Sequence, residues 1–361
     1  MIDIMSNKKI YLVALTVIVL STICSILYLK NSRSSSSNTN SNSLEKVKVQ
    51  TGWIVNGEVA NICSAIVNGY YKDEGLDVDL LPGGPTGASF IIATNAIAQD
   101  PTLTLGVDGD LVSLVRGRAK TIDEGQLRVK AFAAFWNENP YGFMVRSDSG
   151  LNSIKDFAKR KPDGSKYKIG VTSDSVIQFA IAKYLGISVN YLDIVIVGFD
   201  ATPLLTRQVD ALAGFWTTQA YELEKAGISY NFLNASELPG FNQPSMVAVA
   251  TENVLAEKQD TLDKWLRATI KGTEFVENNP EKAAEQILDT RCGGPTLNKE
   301  QELWLIKKSI PLFDPKKPGW IYESQVTDFA KAYNLLGQIP IVLKAEDMID
   351  YSILKSIYSS N

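Results

Sequence analysis

A strand–turn–helix order runs twice along this sequence and constrains its fold more than any other feature. The strands that it predicts are 47–53, 76–81, 102–107, 130–136, 167–171, 194–199 and 211–215. Helical segments lie between these strands, and several of them end at a glycine. Because strands that alternate with helices form parallel sheets with right-handed crossovers, this order predicts an α/β fold.

The break between the two runs predicts two lobes with a cleft between them. From Thr251 onward the pattern is mostly helical. The longer helices predicted there are 260–276, 280–288, 298–309 and 324–335. We therefore predict lobe 1 from residues 46–143 and 246–361, and lobe 2 from residues 144–245. In open α/β sheets, ligands bind beyond the carboxyl ends of the strands, so the cleft is the expected site.

The N-terminal segment 10–29 contains twenty consecutive residues without a charge. As a helix rising about 1.5 Å per residue, it would reach roughly the 30 Å of a bilayer core. We predict that residues 1–30 are a membrane anchor or a signal segment, and we favour the anchor because the apolar run exceeds a typical signal-peptide core. Residues 31–45 have the composition of a flexible Ser/Asn-rich linker. The globular part is then expected outside the cytoplasm, in the periplasm or at the cell surface, either tethered or secreted after cleavage.

The chain has no histidine and only three cysteines, which excludes several classes of catalytic and metal site. Ser-His-Asp and Cys-His catalysis need an imidazole, and all-thiolate metal sites need about four sulfurs. What remains is carboxylate, lysine or hydroxyl chemistry, or no chemistry. In an oxidising compartment Cys63 and Cys292 could form a disulfide, and the alternative is two buried free thiols.

The charge balance disfavours a nucleic-acid partner. Beyond residue 44 the chain carries 32 basic and 39 acidic residues, a formal charge of −7. Binding to a phosphate backbone draws on a basic surface, and this balance runs in the opposite direction.

Two blocks of sequence carry a family resemblance. Residues 69–78 read GYYKDEGLDV, with the turn GGPTG at 83–87, and residues 208–211 read QVDA, with GFW at 214–216. In order and spacing the chain resembles the substrate-binding proteins of ABC importers, in the NMT1/THI5-like, sulfonate, nitrate and taurine-binding group. The resemblance implies a type II periplasmic-binding fold. It also implies a monomer without cofactor, metal or catalysis, which delivers a small-molecule ligand to a membrane permease.

The predicted strand ends and the glycine-rich turn supply the candidate ligand-binding residues. Aromatic rings there can stack on a flat molecule, glycines allow close approach of the backbone, and polar side chains can form hydrogen bonds to the ligand. The candidates are Trp53, Asn56, Glu58, Gly84, Thr86, Gly87, Asp108, Trp136, Tyr141, Ser173 and Trp216. The alternative for each is a structural role: an aromatic in the core, an acid on the surface or a serine that caps a helix.

The loops expected to face the ligand contain no Arg or Lys. These loops are 53–58, 83–89, 107–110, 136–142 and 214–219. We therefore expect a neutral or weakly charged planar heterocycle, such as a thiamine pyrimidine precursor or a riboflavin-like ring. One alternative is a small anion such as a sulfonate or nitrate, which would gain from a cation. Another is a pyrimidine-precursor synthase, and the resemblance to those enzymes implies an active-site histidine that this chain lacks.

Overall fold

The computed structural model describes residues 43–86, 89–172 and 175–359. Residues 44–361 form one compact unit of mixed α/β structure. Its strands, in chain order, are β1 (Glu45–Thr51), β2 (Leu76–Leu81), β3 (Gly84–Thr86), β4 (Ser89–Ile91), β5 (Leu105–Asp108), β6 (Val129–Trp136), β7 (Tyr141–Arg146), β8 (Lys168–Val171), β9 (Asp193–Ile196), β10 (Ala211–Phe215), β11 (Tyr230–Asn234) and β12 (Ser245–Thr251). Every strand predicted from the sequence is present, so the α/β prediction is confirmed.

The first sheet has five strands in the order β2-β1-β5-β12-β6. Strands β2, β1 and β5 are parallel, whereas β12 is antiparallel to both β5 and β6. The expectation of parallel strands from the alternating pattern therefore holds for β2, β1 and β5 and is wrong for β12. This strand arrives late in the chain and is buried along nearly its whole length, so its sequence SMVAVAT shows no polar alternation and does not reveal its direction.

The second sheet has five strands in the order β11-β7-β10-β8-β9. Strands β10, β8 and β9 are parallel, and β7 is antiparallel to both β10 and β11. Each sheet thus contains one strand that opposes its neighbours, and each of these strands, β7 and β12, is the first one after the chain passes from one sheet to the other. A further pair, β3 and β4, forms an antiparallel hairpin.

We use the strands to define two halves of the unit. The first half carries β1 to β6, β12 and the chain after β12, and the second half carries β7 to β11. The chain passes between them through residues 137–140 and again through residues 235–244. The predicted lobe boundaries after residues 143 and 245 fall within β7 and β12, and the predicted linker ends at the first residue of β1.

Helices cover both sheets. They are α1 (Ala60–Val67), α2 (Tyr70–Asp73), α3 (Ala93–Gln99), α4 (Val112–Arg118), α5 (Ile177–Leu185), α6 (Thr202–Leu205), α7 (Trp216–Lys225), α8 (Glu252–Glu257), α9 (Gln259–Asn278), α10 (Pro280–Gln286), α11 (Lys299–Ser309), α12 (Glu323–Leu335), α13 (Ala345–Met348) and α14 (Ser352–Tyr358). The long α9 lies against α1 and α2, and the hydroxyl of Tyr71 in α2 is 2.7 Å from Thr269 Oγ1. A Cβ on Gly272 would stand 2.1 Å from the carbonyl oxygen of Asn61, so only glycine allows this close approach.

A disulfide joins Cys63 and Cys292, whose Cα atoms are 5.8 Å apart. It ties α1 to the segment that follows α10, across 229 residues of sequence. Of the two alternatives that the sequence leaves open, the structure has the disulfide.

No helix within the described ranges is long and apolar enough to cross a membrane. The predicted anchor or signal segment and nearly all of the predicted linker lie outside those ranges.

Candidate functional site

Three aromatic rings from both halves meet beyond the carboxyl ends of β1 and β9. The Trp53 ring centroid lies 5.7 Å from that of Phe90 and 5.2 Å from that of Phe199, and Phe90 and Phe199 are 5.6 Å apart. Phe90 and Phe199 each remain 45% exposed. We call Trp53, Phe90 and Phe199 the aromatic trio. Two of its rings belong to the first half and Phe199 belongs to the second, so the trio spans the junction of the halves.

The β3–β4 hairpin brings Phe90 to Trp53. Gly84 begins the hairpin with a φ of +72°, and a Cβ on it would stand 3.0 Å from Trp53 Cε3. Pro85 is paired with Phe90 across the hairpin. Glycine is therefore required at position 84 both for its backbone conformation and for the approach of the indole. Of the other predicted turn residues, Thr86 lies in β3, and Gly87 lies outside the described residues.

Glu58 forms a second contact between the halves. It lies in a 3₁₀ turn (Gly57–Val59), and Asn56 Oδ1 accepts the Glu58 N–H at 3.0 Å. The hydroxyls of Thr217 and Thr218, at the start of α7, donate to Glu58 Oε1 at 3.0 and 3.4 Å. The two predicted residues Asn56 and Glu58 are thus brought together, with Asn56 supporting the turn that presents the carboxyl group to the second half.

The environment of Glu58 favours its neutral form. Burial raises its pKa to about 7, against the lowering effect of the hydrogen bonds from Thr217 and Thr218, and the carboxylate of Glu302 raises it further. Glu302, on α11, accepts the Gly57 N–H at 2.6 Å and is itself buried, which raises its own pKa. A carboxyl group that titrates near neutral pH at a junction between halves is typical of a functional position.

The Asp108 side chain forms hydrogen bonds with the first residues of α3. Its carboxylate accepts the backbone N–H groups of Ala93 and Thr94, both at 2.8 Å, and the Thr94 hydroxyl. Burial raises its pKa, while these hydrogen bonds oppose the rise. The side chain thus holds the helix that follows the β3–β4 hairpin, and its role as a ligand contact stays a prediction.

The charge of Asp110 in the first half acts on Tyr141 at the start of β7 in the second half. The Tyr141 ring packs edge-on against Phe215 at 5.7 Å, and its hydroxyl lies 3.3 Å from Ser175 Oγ. Burial raises the pKa of Tyr141 to about 12, with a further contribution from the Asp110 charge. Burial also raises the pKa of Asp110 to about 6, partly offset by the Val112 N–H. Predicted residue Ser173, near Ser175, lies outside the described residues.

The other two predicted tryptophans do not join the aromatic trio. Trp136 is 1% exposed, and its indole Nε1 has no hydrogen-bond partner in the described part of the chain. Trp216 begins α7 and packs against Phe232 at 6.3 Å and Trp304 at 6.5 Å. Of the three strand-end tryptophans, the structure brings only Trp53 to the trio.

The arrangement places aromatic rings and carboxyl groups at the junction of the two halves. The aromatic trio offers faces and edges for stacking, and Glu58 and Asp110 offer oxygens that accept or donate according to their protonation. Within the described residues no group of three or more Cys, Asp or Glu side chains is placed to bind a metal.

Comparison with known proteins identifies the family of this chain. The model of the family described as NMT1/THI5 like matches residues 56–283, more than half of the chain. The chain belongs to the NMT1/THI5-like family. The resemblance read from residues 69–78 and 208–216 is therefore confirmed.

The relatives of this NMT1/THI5-like chain carry different names. A formylaminopyrimidine-binding protein of Halalkalibacterium halodurans is 25% identical over 280 residues, covering 75% of this chain and 78% of the relative. A 4-amino-5-hydroxymethyl-2-methylpyrimidine phosphate synthase of Aspergillus parasiticus is 25% identical over 263 residues, covering 69% and 72%. Among solved structures, the periplasmic nitrate-binding protein NrtA of Synechocystis has a TM-score of 0.64 at 10% identity, covering 88% of this chain and 89% of its own. This likeness shows the shared fold.

Four residues of the candidate site in this NMT1/THI5-like chain are missed by sequence reasoning. Phe90 and Phe199 complete the aromatic trio, and Thr217 and Thr218 hold Glu58. The available signal for the threonines is their position directly after Trp216, within the candidate loop 214–219. Phe199 gives a weaker signal, because the strand prediction that ends at it treats it as one more apolar strand residue, whereas β9 ends at Ile196.

Proposed function

We propose that this protein is the solute-binding component of an ABC importer and that it captures a small planar heterocycle between its two halves. The observation that carries the proposal is the aromatic trio, which two half-exposed phenylalanines and Trp53 build from both halves. Flat aromatic faces favour a flat ligand by stacking. The name of the Halalkalibacterium relative, a formylaminopyrimidine-binding protein, supports a pyrimidine as the ring. A riboflavin-like ring is a larger flat heterocycle that can stack in the same way.

The polar groups beside the trio favour a ligand with hydrogen-bond donors. Glu58 is buried and Asp110 is half-buried, and each one repels a nearby negative charge when it is ionised. Arg116 of α4 acts on Asp110 and opposes the rise in its pKa, but the five candidate loops themselves contain no Arg or Lys. A sulfonate or nitrate is therefore disfavoured relative to a ring that carries N–H or amino groups.

We further propose binding without catalysis. The Aspergillus relative is named as a synthase, but this chain has no histidine with which to run the chemistry that the resemblance to such enzymes implies. In this proposal the protein acts as a monomer and delivers the ligand chemically unchanged to a permease in the membrane.

The proposed location is outside the cytoplasm. The Cys63–Cys292 disulfide supports it, because structural disulfides persist mainly in oxidising compartments. In this proposal residues 1–30 serve as an anchor or signal segment. The halves act as two lobes, close to residues 46–143 with 246–361 and to residues 144–245.

A ligand panel tests the proposal. The full chain in detergent is titrated calorimetrically with formylaminopyrimidine, riboflavin, taurine and nitrate, and the recovered ligands are checked by mass spectrometry. We expect heat of binding for at least one of the two ring compounds, with the ligand recovered unchanged. Binding of the anions alone would overturn the heterocycle proposal, and turnover of a ring compound would overturn the absence of catalysis.

A further inference from the structure

Helix α11 belongs to the first half and is firmly anchored there. The Glu302 carboxylate accepts the Gly57 N–H at 2.6 Å. Lys307 pairs with Glu281 of α10, and Lys299 pairs with Glu285, each at 2.7 Å. The side chains of Leu305 and Ile306 are buried behind the same Gly57 turn. One face of α11 is therefore fixed to the first half.

Other residues of α11 reach the second half at α7. The indole Nε1 of Trp304 donates to Glu224 Oε2 at 2.8 Å, and its ring packs edge-on against Tyr221 at 5.5 Å and Trp216 at 6.5 Å. Lys308 lies 3.6 Å from Glu224, an exposed pair that contributes little alone. We call the contacts of Trp304 with Trp216, Tyr221 and Glu224 the Trp304 contact.

The receiving surface on α7 is itself held in place. The Tyr230 hydroxyl donates to the other oxygen of Glu224 at 3.1 Å, and the Trp216 ring packs against Phe232 of β11 at 6.3 Å. The Trp304 contact thus joins two supported surfaces. It occurs in the same structure as the Trp53–Phe199 and Glu58–Thr217 contacts, so it belongs to the arrangement in which the halves are together.

We propose that Trp304 is a positioning residue that stabilises the closed arrangement of the two halves without touching the ligand. The inference rests on the proposed function, because that function requires the halves to separate when a solute enters. A contact present only when the halves are together raises the population of the closed state. Apparent affinity scales with the fraction of protein in the binding-competent state, so Trp304 acts equally on every ligand. The aromatic trio, by contrast, discriminates between ligands.

The test measures opening without any ligand. Backbone amide hydrogen exchange is followed in the full chain and in Trp304→Ala. The exchange rates are compared at residues 89–92 and 197–200, which contain Phe90 and Phe199 of the aromatic trio. Aromatic pairs and their hydrogen bonds contribute modestly to the free energy that holds the halves together. We therefore expect exchange at these residues to be about three- to tenfold faster in the variant. Trp304→Phe, which keeps a ring, should restore part of the protection.

Two variants serve as controls. Trp320→Ala removes a tryptophan that packs on Tyr351 and Tyr358 within the first half, and it should leave exchange at residues 89–92 and 197–200 unchanged. Glu224→Gln keeps the side-chain volume but removes the charge that receives Trp304 and Lys308, and it should shift exchange in the same direction as Trp304→Ala. Circular dichroism confirms that each variant is folded.

The outcomes separate this inference from the ligand proposal. Faster exchange confined to residues 216–225 and 299–309, or equal effects of Trp304→Ala and Trp320→Ala, would overturn the positioning role. In a second arm, Trp304→Ala should weaken binding of formylaminopyrimidine and riboflavin by the same factor, and unequal factors would contradict it. If neither compound binds the unmodified chain, the proposed ligand fails while the exchange result still decides the role of Trp304.

Discussion

At the scale of single residues, Trp53 is the predicted ligand-binding residue that the structure brings to the aromatic trio. It lies beyond β1 and contacts Phe90 in its own half and Phe199 in the other. Stacking on one aromatic side chain contributes roughly 1–3 kcal/mol. We therefore expect Trp53→Ala to weaken binding of formylaminopyrimidine or riboflavin about tenfold or more, as measured by calorimetry. Trp320→Ala is the matched control, and equal affinities in both variants would remove Trp53 from the site.

Glu58 should make stability depend on pH in an unusual direction. Its pKa in the folded protein is about 7, above the ordinary value of 4.5 that it regains on unfolding. Between these values the folded state binds more protons, so this group lowers the free energy of unfolding as pH rises from about 4.5 to 7. The full shift corresponds to an effect on the order of 3 kcal/mol.

The matched variant for this prediction is Glu58→Gln, which cannot titrate. Urea unfolding at pH 5 and pH 8 should show a larger loss of stability in the unmodified protein than in the variant. The same loss in both proteins would mean that Glu58 is ionised at pH 5 despite its burial and the neighbouring Glu302.

At the scale of elements, the β3–β4 hairpin depends on Gly84. Gly84 and Gly75 both have positive φ, at +72° and +80°, but only a Cβ on Gly84 would meet Trp53. Each substitution by alanine should cost about 1–2 kcal/mol of stability from backbone strain. Gly84→Ala should in addition displace Trp53 and weaken ligand binding, whereas Gly75→Ala should not. Equal affinities, measured by calorimetry, would show that the hairpin does not position the indole.

The elements that sequence reasoning predicts are those with a local signature. Strand β2, LDVDLL, alternates exposed acids with apolar residues, and α9 repeats apolar residues at helical spacing. Strands β7 and β12 lack such a signature, because both are buried by neighbours that the chain reaches elsewhere in sequence.

The residues of the candidate site likewise divide into those with a local sequence signal and those without one. Trp53 and Glu58 stand in loops whose positions follow from their own strand and turn. Phe199 depends on how the second sheet meets the first, and the commitment of Asp108 to α3 depends on the approach of Ala93 and Thr94. These are distances between remote segments, which no local pattern encodes.

At the scale of the whole molecule, the proposed function requires the two halves to separate when a ligand enters. The ring centroids of Phe90 and Phe199 lie 5.6 Å apart across the junction, and a bis-maleimide is used to join cysteines placed at these positions. In Phe90→Cys/Phe199→Cys with Cys24→Ser, cross-linking before ligand is added should slow association of riboflavin at least about tenfold, because the required opening is blocked. Stopped-flow fluorescence measures the rate.

The same variant without the cross-linker is the control, since it has lost the same two rings. Cross-linking after binding should trap the ligand through gel filtration. Association that is equally fast with and without the cross-link would place the entry route elsewhere than between the halves.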